Sequence, residues 1–401
     1  MRRSRLAAIG LAAATFIGTA VSLVIGAPSA TAALSNNWYA AAPYLMPVSN
    51  NPPDPITVMN ATGLKAFQLA FILAPNGGGC SPTWDGTNAV SSDTTVANVI
   101  SRIRGNGGDV SVSVGGYGGT KLGQTCGTVA ATAAAYQQVI TKYSLKAIDF
   151  DLEEPEYENT AAIANELGAA KTLQASNPGL FVSVTMPGTA AGTGWFGTQL
   201  LDQAKSIGFS PNNFSIMPFD GGFNGGSSQV SALEALHGLL MSHMGWDSAT
   251  AYSHEGFSGM NGKSDAAEMF YTADFQTVYD YATSHGLGRF TFWSVNRDRA
   301  CVGTTDNGVC SNVPQNDWDF TKFSVRFAGA TPPQTTPTVT TTPTTPGGGS
   351  CTAAEWDRTK VYVKDDVVSH NSHKFTAKWW TQGEEPGTTG EWGVWVDNGA
   401  C

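Results

Sequence analysis

The chain has 401 residues, of which 13% are charged, and its formal net charge is −10 at pH 7. An acidic chain repels the phosphate backbones of nucleic acids and the headgroups of anionic lipids alike. This charge argues against nucleic acid and membrane surfaces as partners. The sequence also holds neither a C-x-x-C motif nor a histidine cluster of the kind that binds zinc. We therefore expect a monomer with no metal and no cofactor.

Residues 1–32 have the pattern of a secretory signal peptide. Arg2, Arg3 and Arg5 precede a largely apolar run from Leu6, and small residues then lead to an A-x-A cleavage site that ends at Ala32. A membrane anchor is the alternative, but no second apolar span of membrane length follows. The pattern predicts a secreted, extracellular protein whose mature form has a net charge of −13. The twin arginines leave a folded-export route open.

Between residues 33 and 330, eight short apolar segments alternate with stretches of helical pattern. In chain order they read AAPYLM, AFQLAFIL, VSVSVGG, LKAIDFDLE, LFVSVTMPG, FSIMPFDGG, SATAYSHEG and GRFTFWSVNRD. Alternating strands and helices are typical of a parallel sheet, and eight such units favour a closed (β/α)8 TIM barrel over an open doubly wound sheet. In such an α/β barrel, we expect the chemistry at the carboxyl ends of the strands.

The fourth segment leads into an acidic stretch, LKAIDFDLEEPEYEN, at residues 145–159. Asp149, Asp151 and Glu153 alternate there with apolar residues, and this period of two places their carboxyls on one face of a strand, with successive members about 7 Å apart. Burial and mutual repulsion raise carboxyl pKa values, so the three are not ionised together. Glu153, at the end of the strand, could then donate a proton to a glycosidic oxygen, while Asp151 holds the substrate or shares the proton.

Other interpretations of the acidic stretch stay open. A carboxylate ladder could bind Mg²⁺ or Ca²⁺, but such sites usually gather ligands from several segments, and no partner cluster is visible. A strand held only by salt bridges would need Arg or Lys opposite, and the barrel segments offer few. We expect the remaining carboxylates in a solvated loop before a helix that starts near Thr160: Glu154, Glu156 and Glu158.

A retaining glycosidase with a protein nucleophile is the alternative mechanism. Such enzymes place one carboxylate after strand four and another after strand seven, about 5 Å apart. Glu153 or Glu154 could pair in this way with Glu255, in SHEGF. This hypothesis leaves Asp149 and Asp151 unexplained.

These residues resemble glycoside hydrolase family 18, the chitinase family, whose strand-four signature is D-x-x-D-x-D-x-E. The resemblance covers roughly residues 38–327. The last three positions match at Asp149, Asp151 and Glu153, while Lys146 replaces the first Asp. Three further matches are SVGG at Ser113–Gly116, which is similar to S-x-G-G; MPFD at Met217–Asp220, which is similar to M-x-Y-D; and Trp293, which is similar to the tryptophan on strand eight that floors the reacting sugar site.

The resemblance implies a substrate-assisted retaining mechanism, in which the acetamido oxygen of the sugar attacks its own anomeric carbon. Glu153 would be the acid and then the base, Asp151 would orient the acetamido group, and Asp149 would support Asp151. Phe219 stands where many members have a tyrosine that bonds the acetamido group, so one transition-state contact is missing or comes from elsewhere. Trp293 could instead be a core aromatic. The expected substrate-binding residues are Trp293, Met217, Phe219 and Asp220.

Downstream of the barrel, residues 331–350 form a Pro/Thr-rich linker that cannot build a core and should act as an extended spacer. Residues 351–401 form a small, aromatic-rich module. Their AKWWTQGEEPG stretch resembles the chitin-binding modules of families 5 and 12, which makes Trp379 and Trp380 the expected sugar-binding pair and places Trp356 and Trp395 in the core. Sequence order favours three disulfides among fifteen pairings: Cys80 with Cys126, Cys301 with Cys310, and Cys351 with Cys401.

The sequence thus predicts a secreted endo-type chitinase that binds chitin or a related N-acetylglucosamine polysaccharide. A non-catalytic chitin-binding protein is the second hypothesis, which Lys146 and Phe219 keep open. Release of reducing ends from colloidal chitin distinguishes the two.

Overall fold

The structure is a computed structural model that describes residues 34–329, 353–357, 360–370, 373–387 and 393–400. The predicted signal peptide, the predicted linker, Cys351 and Cys401 lie outside the described residues. The chain divides into two compact units, residues 1–335 and 336–401.

The first unit contains eight parallel strands in one curled sheet, ordered as in the chain. They are β1 Tyr44–Leu45, β2 Ala66–Leu73, β3 Asp109–Gly115, β4 Ala147–Asp151, β5 Phe181–Pro187, β6 Asn213–Met217, β7 Glu255–Met260 and β8 Arg289–Trp293. Side-chain contacts join the last strand to the first: Thr291 Oγ1 donates to Ala42 O at 2.6 Å, and the rings of Tyr44 and Trp293 are 5.6 Å apart. The predicted barrel is confirmed.

A helix follows each strand, and together the helices cover the outside of the sheet. They are α1 Pro55–Thr62, α2 Thr95–Gly105, α3 Val129–Tyr143, α4 Thr160–Ser176, α5 Trp195–Ser206, α6 Gly225–Leu239, α7 Thr272–His285 and α8 Thr321–Phe327. Local signals explain their ends: α1 has Asp54 as its N-cap, which accepts from Thr57 N at 3.2 Å, and a left-handed glycine, Gly63, at its C-cap. Helix α4 begins at Thr160, as predicted.

Shorter elements decorate the barrel. Short helical turns are Asn36–Ala40, Val90–Ser92, Leu122–Thr125, Leu240–Met244, Ser248–His254 and Val295–Arg297. Two short strands, Thr83–Trp84 and Asn88–Ala89, extend the sheet beyond β2, and a hairpin of Gly262–Lys263 and Met269–Phe270 follows β7. In the described part of the chain, no helix is both long and apolar enough to span a membrane.

The prediction for the seventh strand is wrong in position. Residues Ser248–His254, in the segment expected to be that strand, form a helix that Asp247 caps by accepting from Thr250 N at 2.8 Å. The strand itself starts only at Glu255, so Glu255 lies at the amino-terminal end of β7, where it pairs in register with Phe214 of β6. A helix cap overrode the apolar pattern of the segment.

Glu255 is fully buried, and neither of its carboxylate oxygens has a hydrogen-bond partner in the part of the chain that the structure describes. His237 lies close to this carboxyl, with its Nδ1 3.4 Å from Glu255 Oε2. Burial, helped by the negative charge of Glu234, raises the pKa of Glu255 to about 9. Glu255 is a protonated acid at neutral pH, at the end of the barrel where the strands begin.

Two disulfides stabilise loops of the barrel. Cys80 is bonded to Cys126, and Cys301 is bonded to Cys310, as predicted. The first joins the loop after β2 to the loop after β3, and the second closes a short loop after β8. The third predicted pair, Cys351 with Cys401, lies outside the described residues.

The second unit is β-rich, as predicted. Val361–Tyr362 pairs with Thr381–Gln382, and a three-stranded antiparallel sheet is formed by Val367–His370, His373–Ala377 and Trp395–Ala400. Its small core is built from Tyr362, Val368, Phe375, Ala377, Val394 and Trp395, with Trp356 packed against it.

A polar layer fills the centre of the barrel around the buried carboxylate of Asp149. Six side chains from five other strands donate to this carboxylate: Tyr44 at 3.0 Å, Gln68 at 3.0 Å, Ser113 at 2.8 Å, Ser183 at 2.5 Å, Thr185 at 2.9 Å and Arg289 at 2.8 Å. Arg289 is one of the few basic residues in the strand segments, and it is fully buried opposite the acidic strand. The layer ties β1, β2, β3, β5 and β8 to β4.

Arg289→Met should destabilise the barrel by about 3–5 kcal/mol, because it leaves the charge of Asp149 buried without its cation. Arg102→Met is the matched control, since Arg102 pairs with Asp54 at the exposed surface. Its expected cost is about 0.5 kcal/mol or less. Urea unfolding of the two variants measures the difference, and equal losses would contradict the dominant role of the buried pair.

Glu255→Gln should make stability less sensitive to pH. The folded-state pKa of Glu255 is about 9, above the ordinary 4.5, so only the unfolded chain ionises between these values. Stability therefore falls as pH rises through this window, by at most about 1.4 kcal/mol per pH unit. The glutamine variant lacks this loss. Urea unfolding at pH 5 and pH 8 tests it, with exposed Glu158→Gln as control. An identical pH slope in wild type and Glu255→Gln would refute the assignment.

Candidate active site

A cavity of about 950 Å³ opens at the carboxyl end of the strands. Its lining comes from β1, β2, β4, β6, β7 and β8 and from the loops that follow β1, β2, β3, β4, β6 and β7. The lining residues include Tyr44, Phe71, Asp151, Glu153, Met217, Phe219, Asp220, Asp265, Ala266 and Trp293. Among the predicted barrel site residues, Asp149 alone does not line the cavity, because it lies deeper in the barrel.

Asp151 forms the buried floor of the cavity on β4. Its Oδ2 lies 2.9 Å from the hydroxyl oxygen of Tyr44, and its Oδ1 has no hydrogen-bond partner among the described residues. Burial and the nearby charge of Asp149 raise the pKa of Asp151 to about 7. An unpartnered, buried oxygen on a residue that lines the cavity is available to a donor on a ligand.

Glu153 follows the end of β4 at the mouth of the cavity. It is half-buried, and burial together with the charge of Asp151 raises the pKa of Glu153 well above its usual range. The raised pKa favours the protonated form of Glu153. The sequence predicted this order of carboxyls, from the interior to the mouth.

Tyr44 links the two buried carboxylates. Its hydroxyl lies 3.0 Å from Asp149 Oδ2 and 2.9 Å from Asp151 Oδ2. One hydroxyl proton cannot satisfy both acceptors at once, so a proton on Asp151 would let Tyr44 donate to Asp149 and accept from Asp151. Sequence analysis did not single out Tyr44. The only feature of the sequence that points to Tyr44 is its hydroxyl group within an otherwise apolar segment.

The SVGG segment brings β3 against β4. Gly115 has φ +99°, and a Cβ there would lie 2.1 Å from Asp151 O, which accepts from Gly116 N at 2.8 Å. A Cβ on Gly116 would lie 2.8 Å from the ring of Phe71. Only glycine permits these approaches, which place the backbone of β3 directly beside the carboxyl ladder.

Three aromatic rings form one wall of the cavity. Trp293 stacks on Phe71 with 5.5 Å between ring centroids and 11° between planes, and Tyr44 meets Trp293 edge-on. The side chain of Trp293 is partly exposed to the cavity, which does not fit a purely core role. The peptide bonds Ala70–Phe71 and Trp293–Ser294 are both cis. A stacked, rigid aromatic surface suits the apolar face of a pyranose ring.

The MPFD segment forms the opposite wall, with Met217, Phe219 and Asp220 all at the cavity. Lys146, which breaks the family signature, is exposed just before β4 begins, at the other end of the barrel from the cavity. Its substitution therefore leaves the cavity unchanged.

A buried lysine, Lys121, lies close to the carboxyls of Asp151 and Glu153. Lys121 donates to Gly116 O, and to Gly118 O at 2.6 Å. Burial lowers the pKa of Lys121, while the charges of nearby carboxylates, including Glu156, Glu153 and Asp151, oppose that shift. Lys121 therefore lies close enough to Glu153 and Asp151 for its charge to interact with theirs. Sequence analysis missed it, because nothing local distinguishes it from a surface lysine.

The prediction that Glu156 is solvated is wrong. Its side chain is fully buried beside Glu166, whose Oε1 accepts from Tyr136 at 2.7 Å. Burial and the charge of Glu166 raise the pKa of Glu156 well above its usual range. The loop after β4 folds back over α4 after Pro155, which buries this one glutamate while Glu158 stays exposed.

The structure separates Glu255 from Glu153. Glu255 begins β7, whereas the residues of β7 that reach the cavity are Ser258 and Met260, near its carboxyl end. The pairing of carboxylates after strands four and seven is therefore wrong for Glu255.

The second unit exposes two adjacent tryptophans. Trp379 is 50% exposed and Trp380 is 61% exposed, whereas Trp395 is buried and donates to Glu384 O at 2.8 Å. Trp356 packs against the core. Exposed and core tryptophans are divided as the sequence predicted.

Comparisons with known proteins agree with this geometry. Residues 355–396 match the model of carbohydrate-binding module family 5/12. A probable bifunctional chitinase/lysozyme of Escherichia coli (strain K12) is 28% identical over 275 residues, 64% of this chain and 30% of the relative. Endochitinase 11 of Metarhizium anisopliae is 26% identical over 280 residues, 64% of this chain and 52% of the relative. The chain thus spans about half or less of the length of these relatives.

Among solved structures, the catalytic domain of a hyperthermophilic chitinase from Pyrococcus furiosus covers 72% of this chain, which covers 94% of that domain, with a TM-score of 0.64 and 24% identity. That likeness establishes the fold. The comparisons confirm the resemblance drawn from the sequence: a barrel with the fold of a chitinase catalytic domain is followed by a unit whose residues match carbohydrate-binding module family 5/12.

Proposed function

We propose that the protein is a secreted endo-type chitinase that hydrolyses β-1,4-linked N-acetylglucosamine polymers by a substrate-assisted retaining mechanism. The observation that carries the proposal is the pair Asp151 and Glu153: both line the cavity, the buried Asp151 keeps an unpartnered oxygen among the described residues, and the pKa of Glu153 is raised well above its usual range. The name of the Metarhizium relative supports endo action.

In the first step, Glu153 donates its proton to the glycosidic oxygen, and the bond from that oxygen to the anomeric carbon breaks. The acetamido oxygen of the same sugar attacks the anomeric carbon and forms an oxazolinium ion. Asp151 accepts a hydrogen bond from the acetamido N–H and stabilises the positive charge of that ion.

In the second step, the ionised Glu153 takes a proton from water, and the water oxygen attacks the anomeric carbon from the face the leaving group vacated. The oxazolinium ring opens, the acetamido group is restored, and Glu153 is protonated again. Two displacements retain the anomeric configuration.

The other walls serve to hold the sugar. Trp293, supported by Phe71, would stack on its apolar face, and Met217, Phe219 and Asp220 would contact it from the opposite side. Phe219 has no hydroxyl to offer the acetamido group. Within the cavity, the hydroxyl that contacts Asp151 belongs to Tyr44 instead. Asp149 would stay with its six donors and support Asp151 by charge.

The C-terminal unit would bind chitin through Trp379 and Trp380. A tethered binding module raises the local concentration of the barrel at an insoluble surface. Secretion is proposed from the leader pattern of residues 1–32 and is consistent with the two disulfides.

Glu153→Gln should reduce release of reducing ends from colloidal chitin by at least about a hundredfold, because the general acid is lost. Adsorption to chitin should not change. Glu158→Gln, an exposed glutamate of the same loop, is the matched control and should keep full activity. Near-wild-type hydrolysis by Glu153→Gln would place the acid elsewhere.

Trp379→Ala combined with Trp380→Ala should weaken adsorption to crystalline chitin by more than about tenfold, because each aromatic contact contributes on the order of 1 kcal/mol. Trp195→Ala, which removes a 66% exposed tryptophan of the barrel, is the control. Hydrolysis of soluble oligosaccharides should stay at the wild-type rate in the double variant. Unchanged adsorption of the double variant would show that these rings do not bind chitin.

A further inference from the structure

One wall of the cavity is held by a carboxylate that does not itself line the cavity. We call residues 217–223 the wall loop; it begins at the last residue of β6. The hairpin Gly262–Phe270 follows β7. Glu268 of the hairpin accepts three backbone hydrogen bonds from the wall loop: from Asp220 N at 2.6 Å, Gly222 N at 2.6 Å and Phe223 N at 2.7 Å.

The contact is reciprocal. Asp220 Oδ1 accepts from Ala266 N, in the hairpin, at 2.6 Å. Ser264 Oγ also donates to Glu268 Oε2, at 3.4 Å. Glu268 of the hairpin and Asp220 of the wall loop therefore each accept hydrogen bonds from the backbone of the other segment. We call this set of contacts the clamp.

The conformation of the wall loop needs such a partner. Asp220 has φ +56° and Gly222 has φ +86°, and a turn with left-handed residues at alternate positions here directs three N–H groups, those of Asp220, Gly222 and Phe223, at one carboxylate. That concave set of donors favours an anion, and charge-assisted bonds of this kind are stronger than neutral ones. Left-handed backbone is unfavourable for Asp220, so the contacts of Glu268 offset that cost.

We propose that Glu268 is a positioning residue for substrate binding: it fixes the wall loop so that Phe219 and Asp220 keep their places in the cavity. This proposal rests on the proposed function, because it assigns the wall to the sugar. Phe219 and Asp220 line one side of the cavity, and Asp265 and Ala266 of the hairpin line the adjoining side. Asp220 is exposed, and its side chain is held by the hydrogen bond from Ala266 N of the hairpin.

Glu268→Gln tests the proposal, because the amide keeps the size of the side chain but turns one acceptor into a donor that faces backbone N–H groups. Wall contacts are made in the bound substrate and in the transition state alike, so their loss should appear in KM. We expect KM for the soluble N-acetylglucosamine tetramer to rise about tenfold and kcat to change less than about threefold. Glu234→Gln, an exposed glutamate of α6, is the matched control and should equal wild type.

Direct binding separates this proposal from the proposed function. In the Glu153→Gln background, calorimetry should show about tenfold weaker binding of the tetramer when Glu268→Gln is added. If the wild-type chain binds the tetramer but does not cleave it, the proposed function is refuted. The tenfold weaker binding caused by Glu268→Gln would still support the clamp in that case. Unchanged KM and Kd would overturn the clamp, and so would a lower melting temperature with unchanged KM.

Discussion

The buried ion pair between Asp149 and Arg289 is the interaction on which the rest of the barrel depends. A charge at the centre of a barrel is tolerated only if every acceptor is satisfied, and here six donors from five other strands meet one carboxylate. That requirement fixes the relative register of those strands. Because side chains alternate along β4, it also fixes Asp151 one step higher, beneath the cavity. The position of the acid at the mouth follows from the same strand.

Each end of the barrel holds a buried carboxyl with a raised pKa, Asp151 at one end and Glu255 at the other. Near the carboxyl ends of the strands, Asp151 keeps a free oxygen and a raised pKa because it is buried above another carboxylate. Near the amino ends, Glu255 also has a raised pKa, but it is buried beside His237 and does not line the cavity that Asp151 lines. A perturbed carboxyl is therefore not by itself a sign of chemistry. Access to a cavity distinguishes the two groups, and only the strand bounds reveal which end each one occupies.

Much of this arrangement is readable from the chain alone. Period-two alternation placed Asp149, Asp151 and Glu153 on one face, and seven of the eight strand segments were located correctly because each carries a compact apolar run. The seventh failed because a helix cap at Asp247 outweighed that signal. Glu156, Lys121 and Arg289 could not be placed, since their burial depends on segments far away in sequence. The clamp of Glu268 on the wall loop is likewise a product of tertiary contact.

The contact between Gly115 and Asp151 O has a consequence for how this site could change. Any side chain at residue 115 would push against the backbone carbonyl of Asp151, so this position has to stay glycine if β3 and β4 are to keep their spacing. Tyr117, two residues further on, is 75% exposed at the rim of the same cavity. A position that cannot change, Gly115, and a position on the cavity rim that is free to change, Tyr117, thus lie only two residues apart.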